Sequence, residues 1–160
     1  MAKVLITSEY FGKFEPTAKE LLQAAGHIVI DNPYGHKFLS PEEIIPYAAE
    51  AEAIICDLEK ITKEVIDSAP KLKIIARRGV GVDNVDCTYA RSKGIEVART
   101  PGLVEEPVAE LVMAYILHFS RRVAEMDNDM HQGLWEKRMS SSVAGKILGI
   151  VGMGHIGFEV

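Results

Sequence analysis

The first hundred residues alternate between short apolar runs and amphipathic segments. The apolar runs are rich in β-branched residues, and apolar residues at helical spacing follow them. This alternation predicts an α/β fold: a flavodoxin-like, doubly wound sheet of five parallel strands with four intervening helices. The predicted strands are Val4–Thr7, His27–Ile30, Ala53–Cys56, Lys73–Ala76 and Ile95–Ala98.

Several helix ends carry sequence signals of their own. Gly26 follows the first helix where a left-handed C-cap is needed, and Gly94 ends the fourth. The second helix opens at residues 40–43, which supply a hydroxyl cap, a proline at the first position and a glutamate three residues on. Asp83 and Asn84 are candidate caps for the fourth helix.

The pattern changes after residue 102. A helix is predicted from Pro107, with an apolar stripe at Val108, Leu111, Val112, Tyr115, Ile116 and Phe119. Other apolar residues fill much of its remaining circumference. A helix of this kind is expected to be buried, either between domains or against a second subunit.

A glycine-rich motif follows the last apolar run. Residues 146–151 are predicted to form a strand, and Gly152, Gly154 and Gly157 then give the spacing G-x-G-x-x-G. The first glycine permits a tight turn, the second lets a dinucleotide pyrophosphate approach the backbone, and the third lets helix and strand pack closely. The alternative is a glycine-rich turn with a purely structural role.

A second candidate site follows the fourth strand, in residues 77–84. Ligands of open α/β sheets bind at the carboxyl ends of the strands. Gly79 and Gly81 lie one residue apart, so the N–H groups of this loop can converge on a carboxylate or a phosphate. The alternative is a tight strand-to-helix turn that binds nothing.

Composition narrows the classes of function. A formal net charge of -5 and a pI near 5.6 argue against a nucleic-acid partner. Neither a basic-then-apolar leader nor an apolar run long enough for a membrane span is visible. Two cysteines, Cys56 and Cys87, are too few and too far apart for a disulfide framework or a metal site, so a cytoplasmic location is expected.

Seven ordered segments resemble the D-isomer-specific 2-hydroxyacid dehydrogenase family. They run through nearly all of the chain after Ala53, and comprise residues 74–86, 94–97, 100–102, 108–111, 133–135, 145–151 and 152–157. The resemblance implies a substrate domain over residues 1–100. It further implies an interdomain helix and the start of an NAD-binding domain, with the first βα turn of a Rossmann fold, over residues 101–160.

The same resemblance implies the roles of individual residues. The loop at Arg78, Gly79, Val80 and Gly81 would bind the carboxylate of a small 2-hydroxy or 2-oxo acid, with Val80 also near the nicotinamide. The cofactor, NAD or NADP, would meet Gly152, Gly154, His155, Ile156 and Gly157. The helix over residues 107–120 would contribute to a homodimer interface.

Three positions depart from the pattern of the family. His155 stands where an arginine is usual, so a permanent cation is replaced by a group that titrates near neutrality. Arg99 replaces an asparagine. The loop over residues 56–59 lacks the arginine of phosphoglycerate-specific members, which argues against that substrate, and Lys60 is the nearest cation.

The catalytic arginine, histidine and glutamate of the family would lie after Val160, so no catalytic residue is assigned. His27, His36, His118 and His131 are interpreted as structural or solvated. Residues 1–160 are therefore interpreted as part of an NAD(P)-dependent oxidoreductase, not expected to turn over or to bind NAD tightly alone. The alternative is a non-catalytic dimerisation or protein-interaction module, as in dehydrogenase-like co-repressors.

Overall fold

The structure is a computed structural model that describes residues 1–35 and 37–160. His36, one of the histidines considered above, lies outside the described residues. The chain forms two compact units, Met1–Pro101 and Gly102–Val160. The first contains β1 (Lys3–Ile6), α1 (Thr17–Ala24), β2 (Ile28–Ile30), α2 (Pro41–Ala48), β3 (Ala53–Cys56), α3 (Lys63–Asp67), β4 (Ile74–Arg77), α4 (Cys87–Ser92) and β5 (Glu96–Arg99). The second contains α5 (Glu105–Arg121), α6 (Val123–His131) and α7 (His155–Glu159).

The five strands of the first unit form one parallel sheet in the order β2-β1-β3-β4-β5. This is the flavodoxin-like order, so the predicted fold class is confirmed. In register, Leu5 pairs with Ile54, and Ile54 pairs with Ile75. All three side chains are fully buried, and burial of each contributes about 1.5–3 kcal/mol.

The predicted helix ends are largely confirmed in the first unit. Ser40 caps α2, its backbone N–H donates to the Glu43 carboxylate at 3.0 Å, and Pro41 occupies the first helical position. Gly26 and Gly94 have φ values of 79° and 74°.

The predicted cap of α4 was wrong. Asp86, rather than Asp83 or Asn84, accepts the backbone N–H of Tyr89 at 2.9 Å. The side chain of Asn84 is instead committed to the carbonyl oxygens of the preceding loop.

Helix α5 opens the second unit and begins two residues before Pro107. The Glu105 carboxylate accepts the N–H groups of Gly102 (3.0 Å) and Val104 (2.9 Å), which otherwise lack partners at a helix start. Arg122 ends α5 with a φ of 54°, and α6, which the sequence analysis did not predict, follows directly.

A cluster of charged side chains holds the segment after α6. Arg138 donates to the nearly buried Asp129 at 2.8 Å and to Glu125 at 3.1 Å. Because the guanidinium donates hydrogen bonds to its carboxylate, the pKa of Asp129 lies below its ordinary value.

The apolar side chains of α5 are mostly exposed. Ala109 is its one buried residue, whereas Leu111, Tyr115 and Phe119 are 50%, 54% and 74% exposed. The expected burial of the whole stripe is therefore not met within this chain.

The predicted strand over residues 146–151 was wrong, since this segment is irregular. Ile147 and Val151 are fully exposed, at 98% and 106%. A strand exists only where a neighbour accepts its hydrogen bonds, and no part of residues 102–160 forms a strand. The apolar pattern of this run is intact, but it has no strand to pair with.

Candidate functional site

Two loops meet at the carboxyl edge of the sheet, after β3 and after β4. The backbone N–H of Arg78 donates to the carbonyl oxygen of Cys56 at 2.9 Å. The side-chain amide of Asn84 donates to the carbonyl oxygens of Asp57 (3.1 Å) and Glu59 (2.7 Å). Residues 57–59 and 78–84 therefore form one surface at the edge where ligands of such sheets bind.

Gly79 turns the chain at the start of the β4 loop. It is buried and has a φ of 146°, a backbone conformation that residues other than glycine rarely adopt. A Cβ at this position would overlap the guanidinium of Arg77. The loop therefore requires glycine here for its backbone conformation, and a side chain would also displace the Arg77 guanidinium.

The end of β5 fixes the peptide groups of this loop. The N–H of Thr100 donates to the carbonyl oxygen of Gly79 at 2.9 Å, and Arg99 Nη1 donates to that of Val80 at 3.3 Å. In a trans peptide the following N–H points away from the carbonyl. The N–H groups of Val80 and Gly81 therefore point away from β5, and neither has a hydrogen-bond partner among residues 1–35 and 37–160. Two adjacent N–H groups without a partner are available as donors to an anion.

Arg78, predicted to bind substrate, is paired within the protein. Its Nη2 and Nε atoms lie 2.5 and 3.2 Å from Oδ2 of Asp57, and Ser8 Oγ donates to the same oxygen at 3.5 Å. Arg77 instead donates from Nη1 to the carbonyl oxygen of Arg78 at 3.1 Å. The Asp57–Arg78 ion pair was not predicted, because the strand pattern does not fix which loop residues face each other.

A buried carboxylate supports the loop after β3. Glu59 is 2% exposed and accepts the backbone N–H of Asp57 (2.6 Å) and the hydroxyl of Thr7 (3.4 Å). Burial, reinforced by the negative charge of Glu59, raises the pKa of Cys56 to about 12. The Cys56 thiol is therefore protonated at neutral pH and is not a nucleophile.

The glycine motif of the second unit makes a compact turn into α7. Gly152 has a φ of 101°, and a Cβ on Gly157 would overlap the carbonyl oxygen of Gly152. A Cβ on Gly154, in contrast, would meet nothing within 4 Å. The first and third glycines are required by the turn itself, whereas the second leaves open space beside the backbone, as the approach of a pyrophosphate requires.

His155 and Ile156 form the start of α7, where the N–H of Phe158 donates to the carbonyl oxygen of Gly154 at 2.9 Å. The N–H groups of Gly102 and Val104 lower the pKa of Glu105, and the charge of His155 adds to this effect. His155 therefore lies within electrostatic range of an acidic side chain.

Three other features were predicted from the sequence or are common in functional sites: histidines, metal-binding clusters and membrane-spanning helices. His27 accepts the N–H of Ala2 at the amino edge of the sheet, opposite the Gly79 loop. Within residues 1–35 and 37–160, no three His, Cys, Asp or Glu side chains are grouped so that they could hold a metal ion. In the same part of the chain, no helix has the length and apolar character needed to cross a bilayer.

The order and direction of the strands are those of doubly wound α/β proteins. Residues 4–151 match the model of the D-isomer specific 2-hydroxyacid dehydrogenase catalytic domain. The chain belongs to this family.

Its relatives include D-3-phosphoglycerate dehydrogenase of Sus scrofa, which is 37% identical over the whole chain. Hydroxypyruvate reductase of Thermotoga maritima is 38% identical over 76% of the chain. The chain spans 29% and 41% of these two relatives.

Solved structures show the same fold. The TT0316 protein of Thermus thermophilus superposes with a TM-score of 0.87 at 35% identity, over 98% of this chain and 50% of the other. NAD+-bound 3-phosphoglycerate dehydrogenase of Entamoeba histolytica superposes with a TM-score of 0.77 at 27% identity, over 98% and 48%.

Proposed function

We propose that the Gly79 loop binds the carboxylate of a small 2-hydroxy or 2-oxo acid, as part of an NAD(P)-dependent oxidoreductase. The observation that carries this proposal is the pair of free N–H groups at Val80 and Gly81, which β5 holds in place. Arg78 borders the same loop, and the role of Val80 beside the nicotinamide belongs to the same proposal.

The carboxylate site is tested by NMR titration of the ¹⁵N-labelled chain with glycolate. The expected result is a saturable shift of the Val80 and Gly81 amide signals. Glycolamide, the neutral amide of the same acid, is the matched control and should leave both signals in place. Equal shifts with the two ligands, or shifts confined to other residues, would contradict the proposal.

We further propose that the turn over residues 152–157 receives the pyrophosphate of the cofactor. The open space beside Gly154 and the close packing at Gly157 support this assignment. His155 and Ile156 would flank the phosphates, and the bound nicotinamide would supply the hydride. Amide-shift mapping of the ¹⁵N-labelled chain with NAD and NADP tests this site, and shifts confined to residues outside 152–157 would contradict it.

Proton transfer is not assigned to the Gly79 loop. His27 is the one histidine described in the first unit, and it lies at the opposite edge of the sheet. We therefore expect no oxidation of NADH with glyoxylate by the 160-residue polypeptide. Turnover dependent on that polypeptide would contradict this expectation.

A second proposal concerns α5, which we infer to form a homodimer interface. Leu111, Tyr115 and Phe119 expose large apolar surfaces at helical spacing, and exposed patches of this kind mark interaction sites. This observation also favours a non-catalytic dimerisation module. NADH turnover by a longer polypeptide that contains residues 1–160 would argue against that alternative, and it would not bear on the homodimer interface.

Light scattering across a range of concentrations tests the interface. The chain is expected to be dimeric, and the double variant Leu111→Ala/Phe119→Ala is expected to be monomeric. Glu106→Ala, at an exposed polar position of the same helix, is the control and should remain dimeric. A monomeric parent chain at high concentration would contradict the proposal.

A further inference from the structure

The charges around the Gly79 loop are already partly balanced by the protein. Oδ2 of Asp57 accepts both Nε and Nη2 of Arg78, and the Asp57 side chain is only 14% exposed. Arg78 therefore presents a neutralised pair to a ligand at the loop rather than a free cation.

Asp57 is itself held in place by its surroundings. Its N–H donates to the buried Glu59 carboxylate at 2.6 Å, and its carbonyl oxygen accepts the amide of Asn84 at 3.1 Å. Ser8 adds a contact to the same Oδ2 that binds Arg78. Rotating the Asp57 carboxylate away from Arg78 would break three hydrogen bonds and would therefore cost free energy.

The other cations near the loop donate to backbone carbonyl oxygens or lie among acidic side chains. Arg77 and Arg99 donate to the carbonyl oxygens of Arg78 and Val80, and neither forms an ion pair among the described residues. Lys60 lines a neighbouring cleft in which acidic side chains outnumber basic ones: Lys60 and Lys63 against Glu64, Asp83 and Asp86. Among the described cations that border this loop, Arg78 is the one paired with a carboxylate, that of Asp57.

On the basis of the function proposed above, we infer that Asp57 restricts the site to acids with a single negative charge and discriminates against phosphorylated ones. A second anion beside the loop would meet the Asp57 carboxylate and would have to compete with it for Arg78. Removing the carboxylate from Asp57 would free Arg78, whose planar guanidinium suits phosphate oxygens.

D-glycerate and 3-phospho-D-glycerate form a matched pair of probes, since they differ only by the phosphate. Dissociation constants are measured at constant ionic strength from the Val80 and Gly81 amide shifts. For the chain itself, 3-phospho-D-glycerate is expected to bind about tenfold more weakly than D-glycerate, or worse. In Asp57→Asn the ratio of the two constants is expected to move by about tenfold in favour of the phosphorylated acid.

Two further variants show whether Arg78 is the cause. Asp57→Asn/Arg78→Gln should lose the gain in phosphate binding, because the freed guanidinium is gone. Glu64→Gln removes one exposed carboxylate from the neighbouring cleft and should leave the ratio at its original value.

The outcomes separate this inference from the function on which it rests. If neither acid shifts the loop amides, the proposed carboxylate site fails and the inference fails with it. If D-glycerate shifts them but Asp57→Asn leaves the ratio unchanged, the carboxylate site stands and only the role of Asp57 is overturned.

Discussion

The N–H of Thr100 donates to the carbonyl oxygen of Gly79 at 2.9 Å, so the end of one strand sets the loop that follows its neighbour. Strands β4 and β5 are in register at Arg77 and Arg99, which brings Thr100 level with this loop. The free N–H groups of Val80 and Gly81 are thereby oriented before any ligand arrives. In the proposed carboxylate site, this preorganisation would save the free energy of ordering the loop on binding.

Gly79→Ala tests the glycine that begins the loop. The variant should lower the free energy of unfolding by about 1–3 kcal/mol, because alanine is strained at a φ of 146° and its Cβ would displace the Arg77 guanidinium. Urea unfolding measures this loss, and NMR should show shifted Val80 and Gly81 amides.

Gly26→Ala is the matched control for Gly79→Ala. Gly26 also has a positive φ, 79°, but an added Cβ there would meet no atom within 4 Å. Gly26→Ala should lower the free energy of unfolding by about 1 kcal/mol and leave the Val80 and Gly81 amide signals unchanged. Loop signals that move equally in both variants would refute a local role for Gly79.

Arg99→Gln tests the second contact from β5. Loss of the guanidinium releases the carbonyl oxygen of Val80, so the Gly81 N–H is no longer held toward the ligand. Glycolate affinity should fall by about three- to tenfold, the value of one hydrogen bond. The midpoint of unfolding should barely change, because Arg99 is exposed. Arg91→Gln, an equal change of charge on exposed α4, should leave the affinity unaltered, and an equal fall in both variants would point to net charge alone.

The turn before α7 is tested by two alanine substitutions. In Gly157→Ala the Cβ overlaps the carbonyl oxygen of Gly152, so the turn must open and the hydrogen bond from Phe158 to Gly154 should be lost. Hydrogen exchange of the Phe158 amide measures this change. Gly154→Ala should keep the protection of that amide, since its Cβ projects into open space, while weakening any NAD signal. Unchanged protection in both variants would show that the turn tolerates a side chain at position 157.

Acid should remove the stabilisation that Arg138 provides through Asp129. Since the folded state lowers the pKa of Asp129, the carboxylate contributes stability above its ordinary pKa of about 3.9, and this is lost as the pH falls through the folded value. Asp129→Asn should therefore have a lower free energy of unfolding than the unsubstituted chain at pH 7. This difference in free energy should narrow as the pH falls below the ordinary pKa of the carboxylate. Far-ultraviolet circular dichroism measures the urea unfolding of both proteins.

Asp127→Asn is the control for the acid experiment. Asp127 is exposed on the same helix, and its Oδ1 lies 3.6 Å from Nδ1 of His131, which is exposed as well. Its replacement should therefore matter little at pH 7 or in acid. A gap for Asp129→Asn that stays constant with pH would contradict the role of the ion pair.

The first unit could be predicted from the sequence because its signals are local. Apolar runs with helical segments between them fix a parallel sheet, and Ser40 and Pro41 mark the start of α2. The hydrogen-bond partners of Arg78 and Asn84 could not be predicted. They lie in the loop after β3, and the sequence pattern does not show which residues of two loops meet at the sheet edge.

The second unit shows a different limit of local patterns. The apolar run over residues 146–151 carries strand propensity, but a strand also needs a neighbour, and residues 102–160 contain none. Helix α6 was not predicted because the break between α5 and α6 is a single left-handed residue, Arg122. This residue is not a glycine, so the sequence carries no signal for the break.

The irregular run over residues 147–151 has a consequence for how this polypeptide behaves in concentrated solution. It consists of four apolar residues and Gly149, carries no charge, and includes the fully exposed Ile147 and Val151. Short uncharged segments with strand propensity and free backbone groups add readily to the same segment of another molecule. The onset of aggregation should therefore be governed by these five residues more than by the net charge of -5.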